Sequence, residues 1–261
     1  MSEVVVITGA SSGIGRSAAI SFAEEGSGLF LVARREERLR DVAEQCLALG
    51  APRTEISAHD LSKPGEGARL VSFALERMSK IDVLVCNAGY GCFTPVADYS
   101  AEKMARMWQV NFQSAYESIQ AALPHFLQRG SGHIVLVSSI IGKKGMPFSA
   151  PYCATKFAQV GLGEALWGEL REKGIGVSVI CPGYTETEFH EVAAVESNKA
   201  QTSRPLKGQS SRVVGQAIVR AVRKKKRQIH LTWPAKLLLL INRISTRLAD
   251  YIMLKVSSVN R

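Results

Sequence analysis

The sequence predicts an α/β chain, a doubly wound parallel sheet with helices on both faces, followed by a C-terminal amphipathic helix. Three observations predict it. Short β-branched and aliphatic runs alternate with longer stretches of helical periodicity from Val4 to Leu231. The short runs are apolar throughout rather than at every second position, as in Val4-Val5-Val6-Ile7 and Ile134-Val135-Leu136-Val137, and such strands are buried on both faces. The length of 261 residues, with 46% hydrophobic and 21% charged side chains, suits one such sheet and excludes a disordered, collagen-like or low-complexity chain.

The elements follow in order. Val4–Thr8 reads as the first strand and Ile14–Glu25 as a helix ended by Gly26. Leu29–Ala33 is the second strand, and Glu36–Leu49 is a charge-rich helix stopped by Gly50. Thr54–Ala58 is the third strand, followed by a helix over Glu66–Met78, and Ile81–Cys86 is the fourth. A long helical stretch covers Ala101–Leu127 and stops before Gly130; Pro124, which lacks an amide hydrogen, is expected to kink or break its last part. Ile134–Val137 is the fifth strand, Tyr152–Lys173 a helix, and Gly174-Ile175-Gly176 leads into the sixth strand, Val177–Cys181. Residues 184–209 are irregular and long enough to form a lid. Val213–Val222 is a helix and Gln228–Leu231 a short last strand. After Trp233-Pro234, with proline suited to a first helical turn, apolar residues recur each turn at Leu237, Leu240, Ile241, Ile244, Leu248 and Ile252. Lys236, Arg243, Arg247 and Asp250 populate the other faces of that helix. Two parts follow: residues 1–232, carrying every candidate site, and a basic tail, 233–261.

The net charge of +10 is a property of the tail end. Lys207 to Arg261 holds thirteen Lys and Arg against one acid, Asp250, while residues 1–206 sum to −2. A basic segment of this kind reads as binding a membrane surface, a nucleic acid or an acidic partner, or as a solvated face. The run Arg223–Arg227 is short and has no interleaved aromatic platform, which weighs against nucleic acid. A basic amphipathic helix over 233–255 with Trp and Tyr nearby suits peripheral membrane contact; packing on its own domain or on a second subunit is the alternative. The five cysteines show no zinc or redox spacing, and Cys86 and Cys181 sit in strands as small hydrophobes, which fits a reducing compartment. The chain enters a strand directly after Met1-Ser2-Glu3, without a leader pattern, and holds no apolar run long enough for a span, so a cytoplasmic protein is expected. The five histidines lack ligand spacing, and no metal is expected.

Three features carry chemistry. The first strand runs into Gly9-Ala10-Ser11-Ser12-Gly13-Ile14-Gly15 and then a helix. Glycines admit a pyrophosphate close to the backbone, and the helix start offers free N–H donors, so the turn points to a dinucleotide rather than to a plain tight turn. The second strand ends in Arg34-Arg35, where an acid would bind a ribose 2′-hydroxyl and an arginine a 2′-phosphate; this favours NADP(H), unless Glu36 and Glu37 neutralise the pair locally. Tyr152 and Lys156, four apart, share a helix face, and an ammonium nearby lowers a phenol's pKa. Ser139, 13 positions earlier at the end of the fifth strand, can hydrogen-bond the same substrate oxygen.

In these residues the chain resembles the short-chain dehydrogenases/reductases, in the subgroup of roughly 250 residues with a Tyr-x3-Lys pair. Thr8 to Gly15 is similar to that family's coenzyme motif, Asp60 with Leu61 sits where the family meets the adenine ring, and Asn87-Ala88-Gly89 matches its fourth-strand motif. Asn111 matches its helix asparagine, Ser139, Tyr152 and Lys156 its active site, and Pro182-Gly183 with Thr185 and Thr187 its motif after the sixth strand. The resemblance implies a seven-stranded Rossmann sheet, a homodimer or homotetramer, and hydride transfer between a nicotinamide and a carbonyl or alcohol carbon. It implies that Tyr152 is the acid–base, Ser139 orients the substrate oxygen, Lys156 tunes Tyr152 and bonds the ribose, and Asn111 holds a water in a relay from Lys156. Two positions depart: Cys86 stands where many members carry a second Asn, and Ser12 where some NADP(H) members carry a base.

The substrate surface is expected from the residues after the strand ends. Tyr90, Cys92 and Phe93 follow the fourth strand; Ile140, Ile141, Met146 and Phe148 lie between Ser139 and Tyr152; Tyr184 follows the Pro-Gly turn. Most are apolar, which suits a lipid-, steroid- or fatty-ketone-like substrate, although each is equally at home in a core. His190 on the lid is a contact candidate that reads more simply as surface. A non-catalytic NADP(H)-binding sensor or scaffold of the same fold is the alternative, and the intact Asn111, Ser139, Tyr152 and Lys156 set argues against it.

Overall fold

A computed structural model describes residues 2–189, 193 and 208–259. In chain order the strands are β1 (Val4–Thr8), β2 (Gly28–Ala33), β3 (Thr54–Ala58), β4 (Val83–Cys86), β5 (Gly132–Val137), β6 (Ile175–Cys181), β7 (Thr185–Glu186), β8 (Gln209–Ser210) and β9 (Gln228–His230). Seven of them form one sheet in the order β3-β2-β1-β4-β5-β6-β9, every neighbouring pair parallel. β7 and β8 pair separately, tying together the two described ends of the irregular 184–209 stretch. Residues 190–192 and 194–207 of that stretch, His190 included, lie outside the described residues.

The helices are α1 (Gly13–Ala23), α2 (Glu36–Ala48), α3 (Glu66–Met78), α4 (Ala101–Trp108), α5 (Ser114–Arg129), α6 (Ala150–Leu170), α7 (Ser211–Arg223), α8 (Trp233–Ile244) and α9 (Thr246–Val259). They explain the uniformly apolar strands. Val5 and Ile7 of β1 face a layer with Phe22 of α1, Leu39 of α2 and Ile218 of α7, while Val4 and Val6 face one with Leu70 of α3, Phe126 of α5 and Leu166 of α6. Each side of the strand meets its own helix layer, so neither can be polar. Gly215 lets α7 lie against α1, because a side chain there would meet the Ser17 carbonyl.

Three elements differ from expectation. Pro124 does not end its helix: α5 continues through it to Arg129. Pro124 and Gln120, whose carbonyl loses its partner, are both exposed, so water serves that oxygen, while buried Ala122 and Phe126 hold the helix down. The irregularity lies upstream, in a π-helical turn at Gln109–Gln113 that joins α4 to α5 around Asn111. The expected single tail helix is two: Ser245 takes an extended backbone (φ −146) and its Oγ accepts the Leu248 amide at 3.3 Å, opening α9.

The tail packs back on the body. Leu238 of α8 and Met253 of α9 join an apolar cluster containing Tyr152, and Lys144 pairs with Asp250 at 2.6 Å. Part of the C-terminal charge is neutralised locally: Arg223 reaches Glu3 (2.7 Å) and Glu25 (2.6 Å), and Arg212 reaches Glu24 (3.4 Å).

Candidate active site

The strand order reverses between β1 and β4, and in open parallel sheets the carboxyl edge at such a point is where ligands bind. Both strands end there in glycine turns. Gly9 (φ +67) and Gly13 (φ +54) take left-handed backbone, and a Cβ on Gly15 would collide with the Gly9 carbonyl and lie 2.6 Å from Asn87 Nδ2. Asn87 is the clamp of this turn: its Nδ2 donates to the Thr8 carbonyl at 3.0 Å, while the Asn87 and Ala88 amides donate to Thr8 Oγ1 at 3.0 and 3.1 Å. Ser12 precedes α1, yet its hydroxyl does not cap the helix. It accepts Arg35 Nη2 at 3.0 Å instead, beside Ser11 Oγ at 3.2 Å. The first-turn amides of α1 and the side-chain-free backbone at Gly13 and Gly15 therefore fit a dinucleotide pyrophosphate.

The two arginines part company. Arg35 turns onto the glycine turn and pairs with Glu188 at 2.9 Å, and Glu188 also pairs with Arg38. Glu36 pairs with Arg40 at 2.6 Å, so the local neutraliser of Arg35 is Glu188 from the segment after β6. Arg34 acts on Asp60. Burial opposes ionisation of that carboxyl, but hydrogen bonds from Ser62 and the charges of Arg34 and Lys63 outweigh it and hold the pKa below the usual range. Leu61 packs in the core beneath β2 and α3. Gly89 is exposed at the end of β4, where a Cβ would come 3.5 Å from Lys156 Nζ.

At the other end of the cleft, β5 delivers Ser139 and α6 delivers Tyr152 and Lys156. Ser139 begins a 3-10 turn, Ile140–Gly142, and its side chain hydrogen-bonds Tyr152. Lys156 Nζ lies 5.6 Å from the Tyr152 ring centre. Burial pushes the Tyr152 phenol above its usual range, and the Ser139 bond offsets this only in part. Burial also pushes the Lys156 ammonium down to about 7. Desolvation is the largest influence on both groups.

Lys156 Nζ donates to the Val137 carbonyl at 2.9 Å and to Gln159 Oε1 at 2.9 Å. Asn111 is buried in the π turn, and its side-chain amide is bonded to Tyr90 and Thr155. Nδ2 donates to the Tyr90 carbonyl (2.9 Å) and Thr155 Oγ1 (3.1 Å), and Oδ1 accepts the Tyr90 amide (3.0 Å). Three polar residues absent from the sequence-based set build this region. Ser138 Oγ donates to the Lys156 carbonyl at 2.8 Å, Thr155 Oγ1 to the Tyr152 carbonyl at 2.8 Å, and Gln159 is wholly buried behind Lys156. Ser138 and Thr155 carried a signal, as polar neighbours of Ser139 and Lys156 in sequence; Gln159 carried none.

Around Tyr152 lies an apolar cluster of Cys92, Tyr99, Met107, Ile141, Cys153 and Met253, with Tyr90, Ile140, Met146 and Phe189 packed on it. Of the expected substrate-surface residues, Cys92 and Ile141 are members and Tyr90, Ile140 and Met146 pack on it; Phe93, Phe148 and Tyr184 stand half-buried on the surrounding loops. Phe148 takes a left-handed backbone (φ +64), and its carbonyl accepts the Thr94 amide at 2.7 Å. Pro182 and Gly183 lead into β7, where Thr185 Oγ1 donates to the Gly183 carbonyl at 3.1 Å; the Thr187 methyl lies against Gly13, and the Phe189 ring sits 5.3 Å from that of Tyr152.

This Rossmann-type sheet, with a glycine turn at one end of its cleft and a Ser–Tyr–Lys group at the other, defines an oxidoreductase class. The chain belongs to the short-chain dehydrogenase/reductase family: the profile described as short chain dehydrogenase matches residues 3–197. It is 33% identical over 239 residues to dehydrogenase/reductase SDR family member 7B of Bos taurus, covering 88% of this chain and 74% of that protein. Its structure is similar to a short-chain dehydrogenase from Sphingobium yanoikuyae in complex with NADPH (TM-score 0.80, 28% identity, 95% of this chain and 96% of that one). It is also similar to a family member from Burkholderia phymatum in complex with NAD (TM-score 0.83, 25% identity, 95% of each chain).

Proposed function

We propose that the protein is an NADP(H)-dependent oxidoreductase that interconverts a carbonyl and a secondary alcohol on a hydrophobic substrate. The observation that carries this reading is a buried tyrosine, hydrogen-bonded to Ser139 and beside the Lys156 amine, set in a wall of Met, Cys and aromatic side chains. When bound, the nicotinamide supplies or takes up the hydride. Tyr152 gives its phenolic proton to the nascent alkoxide in reduction and recovers it in oxidation. Ser139 donates a hydrogen bond to the same oxygen. Lys156, facing Gly89 across the cleft, holds the ribose and favours the phenolate when protonated. Gly9, Gly13, Ile14 and Gly15 cradle the pyrophosphate, Asp60 and Asn87-Ala88-Gly89 line the adenosine and ribose path, and Arg35 with Ser11 and Ser12 takes a 2′-phosphate. The preference for NADP(H) over NAD(H) rests on that Arg35 placement. Oxidation of NADPH with hydrophobic ketones tests the assignment. Tyr152→Phe is expected to lose about a thousandfold or more in kcat while still binding NADPH. Equal rates in the two proteins overturn it; binding without turnover on a broad panel favours the sensor alternative.

A specific observation favours a second role for the tail. Trp233, Leu237, Leu240 and Ile244 form one face of α8 and are 74, 46, 54 and 81% exposed, with Lys236 and Arg243 exposed beside them. No helix among the described residues is long and apolar enough to cross a membrane. We read 1–232 as the catalytic unit, at work as a homo-oligomer in the cytoplasm, and α8 as a peripheral contact with anionic lipid. Trp233→Glu with Ile244→Glu is expected to abolish co-sedimentation with anionic liposomes; unchanged co-sedimentation, or a shift in oligomer size instead, refutes lipid contact.

A further inference from the structure

One buried side chain joins two members of the expected tetrad and belongs to neither role described so far. Gln159 lies three residues after Lys156 on α6 and is 0% exposed. Its Oε1 accepts Lys156 Nζ at 2.9 Å, and its Nε2 donates to the Asn111 main-chain carbonyl at 2.6 Å. That carbonyl sits in the π turn, where the helical hydrogen-bond ladder is displaced and an oxygen is freed for a side chain. With the Asn111 amide group committed to Tyr90 and Thr155, the path from Lys156 to Asn111 runs through Gln159. Leucine or valine at this position would leave the Asn111 oxygen without this donor and Lys156 with one acceptor, Val137.

We propose that Gln159 is a positioning residue that fixes Lys156 against the π turn at Asn111 and so sets where its ammonium stands relative to Tyr152. The inference rests on the Tyr152–Lys156 reading above. A side-chain amide accepts and donates without changing its own protonation. The link therefore carries orientation and charge rather than a proton, and the relay that the resemblance assigns to a water on Asn111 has an amide on its carbonyl in this chain. The titratable groups facing Lys156 are Tyr152 from its own helix and Cys181 from β6, with the Lys143–Glu164 pair beyond Cys181; among the described residues no carboxylate pairs with the ammonium.

The test compares the full chain with Gln159→Met, which keeps the shape and removes both bonds, and Gln159→Glu, which keeps the acceptor and removes the donor. The Lys156 titration is followed by NMR of 13Cε-labelled lysine without cofactor, the resonance being assigned by its loss in Lys156→Met. Gln159→Met is expected to lower the Lys156 pKa by about one unit and kcat by about tenfold, with KM within about twofold. Gln159→Glu is expected to raise that pKa by about one unit or more and to move the kcat–pH profile with it. A Lys156 titration unmoved in both variants overturns the proposal, even if kcat falls, because the effect would then be structural. Should Gln159→Met fail to fold, Gln159→Glu alone decides by the direction of its shift. A moved titration with unchanged kcat leaves Gln159 in place and overturns the catalytic role of Lys156 instead.

Discussion

Lys156→Met is expected to stabilise the fold while abolishing turnover, and to do so only over a defined pH range. Burial drives the lysine from 10.5 to about 7. Between those values the unfolded chain holds a proton that the native state has shed, so wild-type stability rises with pH through this window; below 7 both states carry the proton and the penalty is constant. Linkage then makes the buried amine cost about 4 kcal/mol at pH 7 and about 2 kcal/mol at pH 9. Methionine removes that cost but orphans two acceptors, the Val137 carbonyl and Gln159 Oε1, at about 1 kcal/mol each. The net gain is about 2 kcal/mol at pH 7 and close to zero at pH 9. The difference between the two pH values is free of the hydrogen-bond losses, which do not titrate. Urea unfolding of both proteins at pH 7 and pH 9, at one protein concentration, measures it. A stability difference that is the same at both pH values refutes a depressed lysine, and with it the view that desolvation governs this site.

Gly15→Ala is expected to weaken nucleotide binding by about a hundredfold or more, because a Cβ there meets the Gly9 carbonyl and Asn87 Nδ2. Gly161→Ala, which meets nothing within 4 Å on exposed α6 surface, serves as its control and is expected to stabilise by about 0.5–1 kcal/mol in thermal unfolding. Arg35→Gln is expected to erase most of the preference for NADPH over NADH in fluorescence titrations. Glu188→Gln is expected to raise NADPH affinity about threefold with NADH unchanged, an effect that shrinks in high salt.

The strands were legible because a sheet covered on both faces leaves a simple mark, unbroken apolar runs, and because glycines punctuate the helix ends. The site was legible wherever a residue type is tied to backbone geometry or to acid–base chemistry: the glycine turn, Ser139, Tyr152, Lys156. What sequence could not show depends on which way a side chain turns. Arg34 and Arg35 are adjacent in sequence, yet one acts on Asp60 and the other on Ser11, Ser12 and Glu188. Gln159 was invisible because a glutamine on a helix is ordinarily exposed, and only the π turn gives its amide a buried acceptor. Pro124 misled because its cost depends on whether the freed carbonyl reaches water, which burial decides. Phe189 and Met253 join the surroundings of Tyr152 from later segments of the chain, whereas Phe148, four positions before Tyr152, stands outside its apolar cluster.

The segment Thr185–Phe189 touches both ends of the cleft, and its two holds differ in kind. At the nucleotide end, Glu188 is paired with Arg35 and Arg38, but all three side chains are well exposed, and such pairs contribute about 0–1 kcal/mol and weaken with salt. At the reaction end, Phe189 packs on the Tyr152 ring and fills the space left by the missing side chain of Gly91, an apolar contact that salt leaves intact. The stronger hold is therefore over the tyrosine, and the weaker one over the arginines. An anion arriving at Arg35 competes only with an exposed carboxylate, so the segment can yield at Glu188 while Phe189 stays seated. On the NADP(H) reading proposed above, Arg35 sets the cofactor preference, and the exposed Glu188 carboxylate tempers it while Phe189 keeps its contact with Tyr152.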